Sequence, residues 1–133
     1  MPELRGGGTV LVVDKDIAFA WWLGEVFGDA GCYVVPALNC RQALQMVKRL
    51  RMKVDIVAGN PGLPGFSKMI RSLSGSRRPV KIIAIVNEGD DAAVTAQGDA
   101  TLERPSGTSV ISRQEWVRRV QEILRELEMR GTS

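Results

Sequence analysis

The stretch Thr9-Val10-Leu11-Val12-Val13-Asp14-Lys15-Asp16 decides the fold of this chain. Its first five residues are apolar or β-branched without alternation, which is typical of a strand buried on both faces of a sheet. Apolar residues then recur at helical spacing, so a helix is predicted directly after the strand. Asp16 is predicted to cap the start of this helix and Gly31 to end it. The apolar residues of the helix are Phe19, Trp22, Leu23, Val26, Phe27 and Ala30.

Four more strand patterns follow, at residues 32–36, 54–59, 80–86 and 100–102. Helical patterns separate them at residues 40–50, around Met69 and, more weakly, at 90–96. Ser112 and Glu115 form a capping box that opens a last helix. A βα unit repeated five times predicts a five-stranded parallel sheet with helices on both faces. Right-handed connections favour the flavodoxin-like, doubly wound strand order 2-1-3-4-5.

Length and composition bound the classes of function. The 133 residues fit a single domain, predicted at residues 9–129 between tails at 1–8 and 130–133. The absence of histidine excludes a histidine general base, a Ser-His or Cys-His triad and a phosphohistidine. Cys32 and Cys40 are expected to be free, buried thiols of a cytoplasmic protein. No segment approaches the roughly 18 apolar residues of a membrane helix, so no membrane contact is expected.

Parallel sheets of this kind carry their ligands and chemistry at the carboxyl ends of the strands. In this chain those ends are residues 14–16, 60–65, 86–88 and 104–105. The segment from Asn60 to Gly65 is rich in Pro and Gly, so a plain strand-to-helix turn also accounts for it.

The segments, taken in this order, resemble a bacterial response-regulator receiver domain over residues 9–127. The first strand, ending in Asp14, is similar to the family's first strand, which ends in a pair of acidic residues. The third strand, Asn60 and the loop to Gly65 look like the strand and loop that carry the family's phosphoacceptor. The fourth strand is also similar, and residues 93–105 align without gaps to the segment that ends in the family's Lys-Pro.

The resemblance implies a phosphorylation pocket, which this chain changes at its centre. In the family, an Asp after strand three accepts a phosphoryl group, and two acidic residues after strand one help to hold Mg²⁺. Here Asn60 stands in place of the acceptor and Lys15 in place of the second acidic residue, while Asp14 is kept. Because an amide is not a carboxylate nucleophile, no acyl phosphate is expected at Asn60.

Three further family positions are altered. Val86 replaces the hydroxyl residue that ends strand four, and Thr101 replaces the aromatic switch residue. Arg104 replaces the Lys that ends strand five, keeping the charge but not the geometry of an ammonium. Together with Asp14, Lys15 and Asn60, these changes predict a degenerate pocket, and so a pseudo-receiver.

A cation can stand in for the metal in such a pocket. We expect the Lys15 ammonium to lie near Asp14 and the amide oxygen of Asn60, where it would repel Mg²⁺. Asp16 is a rival metal ligand, but its position two residues past Asp14 suits a helix cap better. No metal or cofactor is therefore expected.

The function implied is a stand-alone signalling module of a two-component or phosphorelay system, not an enzyme. It would work by protein contact without phosphorylation, with a kinase, an output domain or another regulator as partner. The candidate surfaces are helix one, and the face formed by helix four, strand five and helix five. The candidate contact residues are Trp21, Leu102, Arg104 and Trp116.

Alternatives stay open beside this reading. One is a receiver phosphorylated on a displaced acceptor, although Asp55 lies at the wrong end of strand three. Another is a small-molecule or nucleic-acid binding module on the same fold. Nucleic acid is the less favoured partner because no aromatic residues interleave with the basic clusters, and a homodimer is compatible with the sequence. The clusters are Lys48, Arg49, Arg51 and Lys53, and Arg71, Arg77, Arg78 and Lys81.

Overall fold

A computed structural model of the chain describes residues 8–74, 79–87, 89–104 and 112–131. Strands and helices alternate through these residues in the predicted order. The elements are β1 (Thr9–Val13), α1 (Ile17–Asp29), β2 (Tyr33–Ala37), α2 (Cys40–Leu50), β3 (Ile56–Gly59), α3 (Phe66–Leu73), β4 (Lys81–Val86), α4 (Ala92–Thr95), β5 (Ala100–Glu103) and α5 (Arg113–Gly131).

The five strands form one parallel sheet in the order β2-β1-β3-β4-β5, which confirms the predicted flavodoxin-like topology. β1 lies inside the sheet, with Val10 opposite Val34 of β2 on one side and Ile56 of β3 on the other. Pro36 is tolerated in β2 because that strand lies at the edge of the sheet.

Helices cover both faces of the sheet, and each face has its own core. Val10 and Val12 of β1 pack in the core that α1 and α5 cover. Leu11 and Val13 point the other way, into the core that α2 and α3 cover. Successive side chains of a strand point to opposite faces, so an unbroken apolar run is what this position requires.

Side-chain caps form where the sequence predicts them. Asp16 accepts a hydrogen bond from the Phe19 amide at 3.2 Å and begins α1. Ser112 accepts one from the Glu115 amide at 3.2 Å and begins α5. The cap reading of Asp16 is therefore confirmed, and this places its carboxylate at the carboxyl edge of the sheet.

The boundaries differ from prediction by a few residues. Sheet pairing begins at Gly8, whose carbonyl accepts from the Tyr33 amide at 3.0 Å, so this residue is not part of a tail. β3 begins at Ile56 rather than residue 54, and α4 is only the single turn Ala92–Thr95. α5 runs to Gly131, two residues past the predicted end of the domain. Residues 1–7 and 132–133 lie outside the described part of the chain.

Two of the predicted contact residues belong to the core. Leu102 is fully buried, and Trp116 is buried against Trp22 with their ring centroids 4.9 Å apart. The prediction that these side chains contact a partner is therefore wrong. The inward apolar stripe of α5 takes up Trp116, and the inner side of β5 takes up Leu102. Trp21, in contrast, is 61% exposed.

Within the described residues, no helix is long and apolar enough to cross a membrane.

Trp116 and Trp21 offer a matched test of this packing. We expect Trp116→Ala to lower the free energy of unfolding by about 3–5 kcal/mol, because it removes a buried aromatic side chain and leaves a cavity. Trp21→Ala is the control and is expected to change that free energy by less than about 0.5 kcal/mol. Urea denaturation followed by circular dichroism measures both. Equal losses in the two variants would contradict the assignment of Trp116 to the core.

Candidate functional site

The carboxyl edge of the sheet brings together the polar residues that follow its strands. Asp14 continues β1, and its amide donates to the carbonyl of Ala37 at 3.0 Å. Arg104 follows β5, and its amide donates to the carbonyl of Val86 at 2.8 Å. Asn60 follows β3. Their side chains nevertheless form two separate clusters, one around Asp14 and one around Asn60.

Asp14 is the one buried charged or polar side chain among the described residues, with 4% of its surface exposed. Its Oδ1 atom accepts from the Asp16 amide at 2.8 Å. Its Oδ2 atom is in contact with Nη2 of Arg104, which lies 90 positions further along the chain. A buried carboxylate needs a charged or hydrogen-bonding partner on each oxygen, and Asp14 has both.

Arg104 is held by three groups at once. Besides contacting Asp14, its Nη1 atom lies 3.6 Å from Oδ2 of Asp16. Its guanidinium carbon lies 4.2 Å from the ring centroid of Phe19, in the geometry of a cation–π contact. The Nε atom is buried without a hydrogen-bond partner. The fork and stack therefore fix the side chain, although about a quarter of its surface is exposed.

An aromatic column continues inward from Arg104. Phe19 is stacked under the guanidinium, and its ring centroid lies 6.1 Å from that of Trp22. Trp22 in turn meets Trp116 of α5 edge-on. The pocket is thus in continuous contact with the core between α1 and α5, and the position of Arg104 depends on that packing.

The structure corrects the sequence-based placement of Lys15. Its side chain is exposed, and Arg104 rather than Lys15 forms the ion pair with Asp14. The reason is geometric, because Asp14 extends the strand and the next side chain points away from it. The expectation of a cation beside Asp14 is met, but by a residue distant in sequence.

Asn60 faces a different set of groups from those expected. Its Nδ2 atom donates to the carbonyl of Ile85 and to Oδ2 of Asp90, both at 3.0 Å. Its Oδ1 atom accepts from the Gly62 amide at 2.7 Å. The amide oxygen therefore faces its own loop and not Lys15, so this part of the prediction is wrong. A carboxylate in the same place could not donate the two bonds that Nδ2 makes.

Asp90 is the site residue that the sequence analysis missed. Its Oδ2 atom accepts from the Asn87 amide at 2.7 Å as well as from Asn60. The residue ends a turn in which Gly89 has a φ of +89°, a conformation that favours glycine. An Asn three residues before an Asp, with Gly between them, is a turn signal, but it was read as the beginning of a helix.

The remaining predicted positions do not offer groups to a phosphate. Val86 is buried and has no hydrogen-bonding side chain, and Thr101 is exposed on β5. Pro105, Glu88, Arg77 and Arg78 lie outside the described residues.

The residues present do not fit a bound divalent cation. Metal ions of the Mg²⁺ type need oxygen ligands without a competing positive charge. Here the carboxylates of Asp14 and Asp16 share the Arg104 guanidinium. The described residues contain no group of three or more acidic or cysteine side chains arranged to hold a metal ion.

Both cysteines are free, as predicted, with Cys40 buried and Cys32 partly buried. Burial raises the pKa of Cys32 to about 12, with a smaller contribution from the charge of Asp55. Burial also raises the pKa of Cys40. Both thiols are therefore protonated at neutral pH and poor nucleophiles.

The fold is that of response-regulator receiver domains, which confirms at the level of fold the resemblance seen in the sequence. No family model matches the chain, and neither does any curated protein.

Solved structures carry the comparison. A response regulator receiver protein from Burkholderia phymatum superposes with a TM-score of 0.65 at 20% identity, over 88% of this chain and 94% of that one. A receiver domain protein from Clostridium thermocellum gives 0.64 at 16% identity, over 92% and 98%. A two-component response regulator from Clostridium difficile gives 0.63 at 19% identity, over 90% and 98%.

A double-mutant cycle tests the ion pair. We expect Arg104→Met to cost about 3 kcal/mol of unfolding free energy, because it leaves the buried Asp14 carboxylate without its counter-charge. The cost is expected to shrink in the Asp14→Asn background, giving a coupling energy of about 1–3 kcal/mol.

Arg113 supplies the control for the cycle. Its ion pairs with Glu25 and Asp29 join side chains that are each about half exposed, so Arg113→Met should cost at most about 1 kcal/mol. Urea denaturation of each variant gives the values. A coupling energy near zero would show that Arg104 and Asp14 do not stabilise each other.

Proposed function

We propose that this chain is a receiver-like signalling module of a bacterial two-component or phosphorelay system whose pocket is kept in one state by Arg104. It acts by protein contact in the cytoplasm, without phosphorylation and without catalytic activity of its own. The observation that carries the proposal is the contact between the Arg104 guanidinium and the buried Asp14 carboxylate. Three features of the pocket support it.

The first feature is the lack of a phosphoacceptor. A covalent phosphoryl intermediate of this kind needs a carboxylate nucleophile, and the position holds the amide of Asn60. Both polar atoms of that amide are engaged, with Ile85, Asp90 and Gly62. The amide thus closes the loop after β3 instead of presenting a reactive oxygen.

The second feature is a permanent internal cation. A metal ion that is bound reversibly leaves the pocket with two states, with and without the ion. Arg104 is attached to β5 and its guanidinium stays protonated at every physiological pH. The positive charge beside Asp14 is therefore always present.

The third feature is the absence of a switching group. A residue that reports phosphorylation must hydrogen-bond the phosphoryl oxygens, and the buried Val86 side chain cannot. Without an acceptor, an exchangeable cation and a hydroxyl, the pocket has no means of changing state by phosphoryl transfer. A fixed surface presented to a partner is the function that remains.

Helix α1 is the best supported partner surface of the two predicted from sequence. Trp21 and Ile17 are exposed by 61% and 54%, and at four residues apart they share one side of α1. Exposed Trp residues are frequent anchors of protein interfaces. The partner would be a kinase, an output domain or another regulator. The burial of Leu102 and Trp116 weakens the case for the face around β5.

Acetyl phosphate labelling tests the proposal. The chain and its Asn60→Asp variant are incubated with acetyl phosphate and Mg²⁺, beside a receiver domain known to be phosphorylated, and intact masses are measured. We expect no gain of a phosphoryl group on the chain itself, since it has no acceptor carboxylate at the pocket. We expect little on Asn60→Asp, because Arg104 still excludes the metal.

Each arm of this experiment has a different meaning. A phosphoryl group on the unaltered chain would overturn phosphorylation independence. Efficient labelling of Asn60→Asp alone would leave the missing acceptor as the cause and contradict the role given to Arg104.

A further inference from the structure

Charge is strongly segregated along this chain. Residues 38–74 contain seven basic side chains and one acidic one, a local charge of +6 in a chain whose net charge is +3. The acidic one, Asp55, is partly buried and accepts from the Thr9 amide at 2.8 Å. The basic ones are Arg41, Lys48, Arg49, Arg51, Lys53, Lys68 and Arg71.

The fold collects these seven side chains on one face of the molecule. α2 and α3 pack side by side on the same core, against the half of the sheet made by β1, β2 and β3. All seven basic side chains are exposed. We refer to them together as the cationic face. The other helix layer has no such bias, because α5 alternates Arg with Glu along its exposed side.

A second segment has the opposite charge. Residues 82–103 contain five acidic side chains and no Lys or Arg. Four of them are described by the structure and lie around β5, the last strand of the sheet. We refer to these four as the acidic edge: Asp90, Asp91, Asp99 and Glu103.

The sheet keeps the two charged regions apart. β5 lies two strands from β3 and four strands from β2, about 10 Å and 19 Å at the usual strand spacing. These distances are longer than the screening length of about 8 Å at physiological ionic strength. The cationic face and the acidic edge therefore cannot neutralise each other within one molecule.

We propose that the cationic face of one molecule docks on the acidic edge of a second copy, head to tail. The chain itself carries the complementary surface, which is the reason to choose a second copy over another acidic partner. Leu50 is 58% exposed within the cationic face and supplies an apolar contact at its centre. Because two different surfaces meet, the contact is heterologous and can repeat into a ring or an open chain.

Sedimentation velocity of the full chain over a range of concentrations tests the association. We expect oligomers at about 50 mM NaCl that dissociate to monomers at about 500 mM, because attraction between exposed charges is screened by salt. A chain that is monomeric at all concentrations in low salt would overturn the proposal.

Charge reversal on the cationic face locates the contact. Arg41→Glu/Lys68→Glu changes two exposed residues in the first turns of α2 and α3, where acidic side chains favour the helix dipole and folding is preserved. We expect the association constant at low salt to fall by about tenfold or more. Arg118→Glu/Arg119→Glu makes the same change of charge on α5 and should leave association unchanged. Equal effects of the two double variants would overturn the assignment of the face.

Mixing variants supplies the decisive arm. Gln97→Lys/Glu103→Lys changes two exposed residues beside or within the acidic edge and should also abolish self-association. A mixture of this variant with Arg41→Glu/Lys68→Glu should associate again, since one retains the cationic face and the other the acidic edge. Failure of the mixture to associate would overturn the pairing. So would a monomeric chain that binds a random-sequence DNA duplex through Arg41 and Lys68, which would make the face a nucleic-acid surface.

Discussion

The contact between Arg104 and Asp14 is the constraint on which the rest of the pocket depends. It joins the end of β5 to the end of β1, two strands that are not neighbours in the sheet. Through Asp16 and Phe19 the same guanidinium also fixes the first turn of α1. A buried carboxylate without that cation would cost several kcal/mol. The packing of α1 and α5 and the charge balance of the pocket are therefore one problem with one solution.

The pocket solves that problem in a way that removes a degree of freedom. A receiver-type site with an exchangeable cation and a reactive carboxylate has several states that differ in charge. Here the cation is part of the chain, and the acceptor position holds an amide whose donors and acceptor are all engaged. Signalling by such a module has to come from surfaces that are always presented, such as the exposed side of α1 or the cationic face.

The sequence predicted the fold well because each strand and helix carries its own pattern. The apolar run of β1, the helical spacing after it and the caps at Asp16 and Ser112 are local signals, and all appear in the structure. The pocket was predicted less well because its contacts join residues distant in sequence. Proximity favoured Lys15 as the partner of Asp14, whereas the topology brings Arg104 from 90 positions away. Trp116 could have been placed correctly, since the stripe of α5 already turned it inward.

The measurement that most directly tests the central claim is a titration of the isotopically labelled chain with Mg²⁺, followed by amide resonances. With Arg104 in the cation position, the signals of Asp14, Asp16 and Asn60 are expected to stay in place up to millimolar Mg²⁺. Saturable shifts centred on those three residues would show that the metal displaces the guanidinium, and would contradict a pocket held in one state by Arg104.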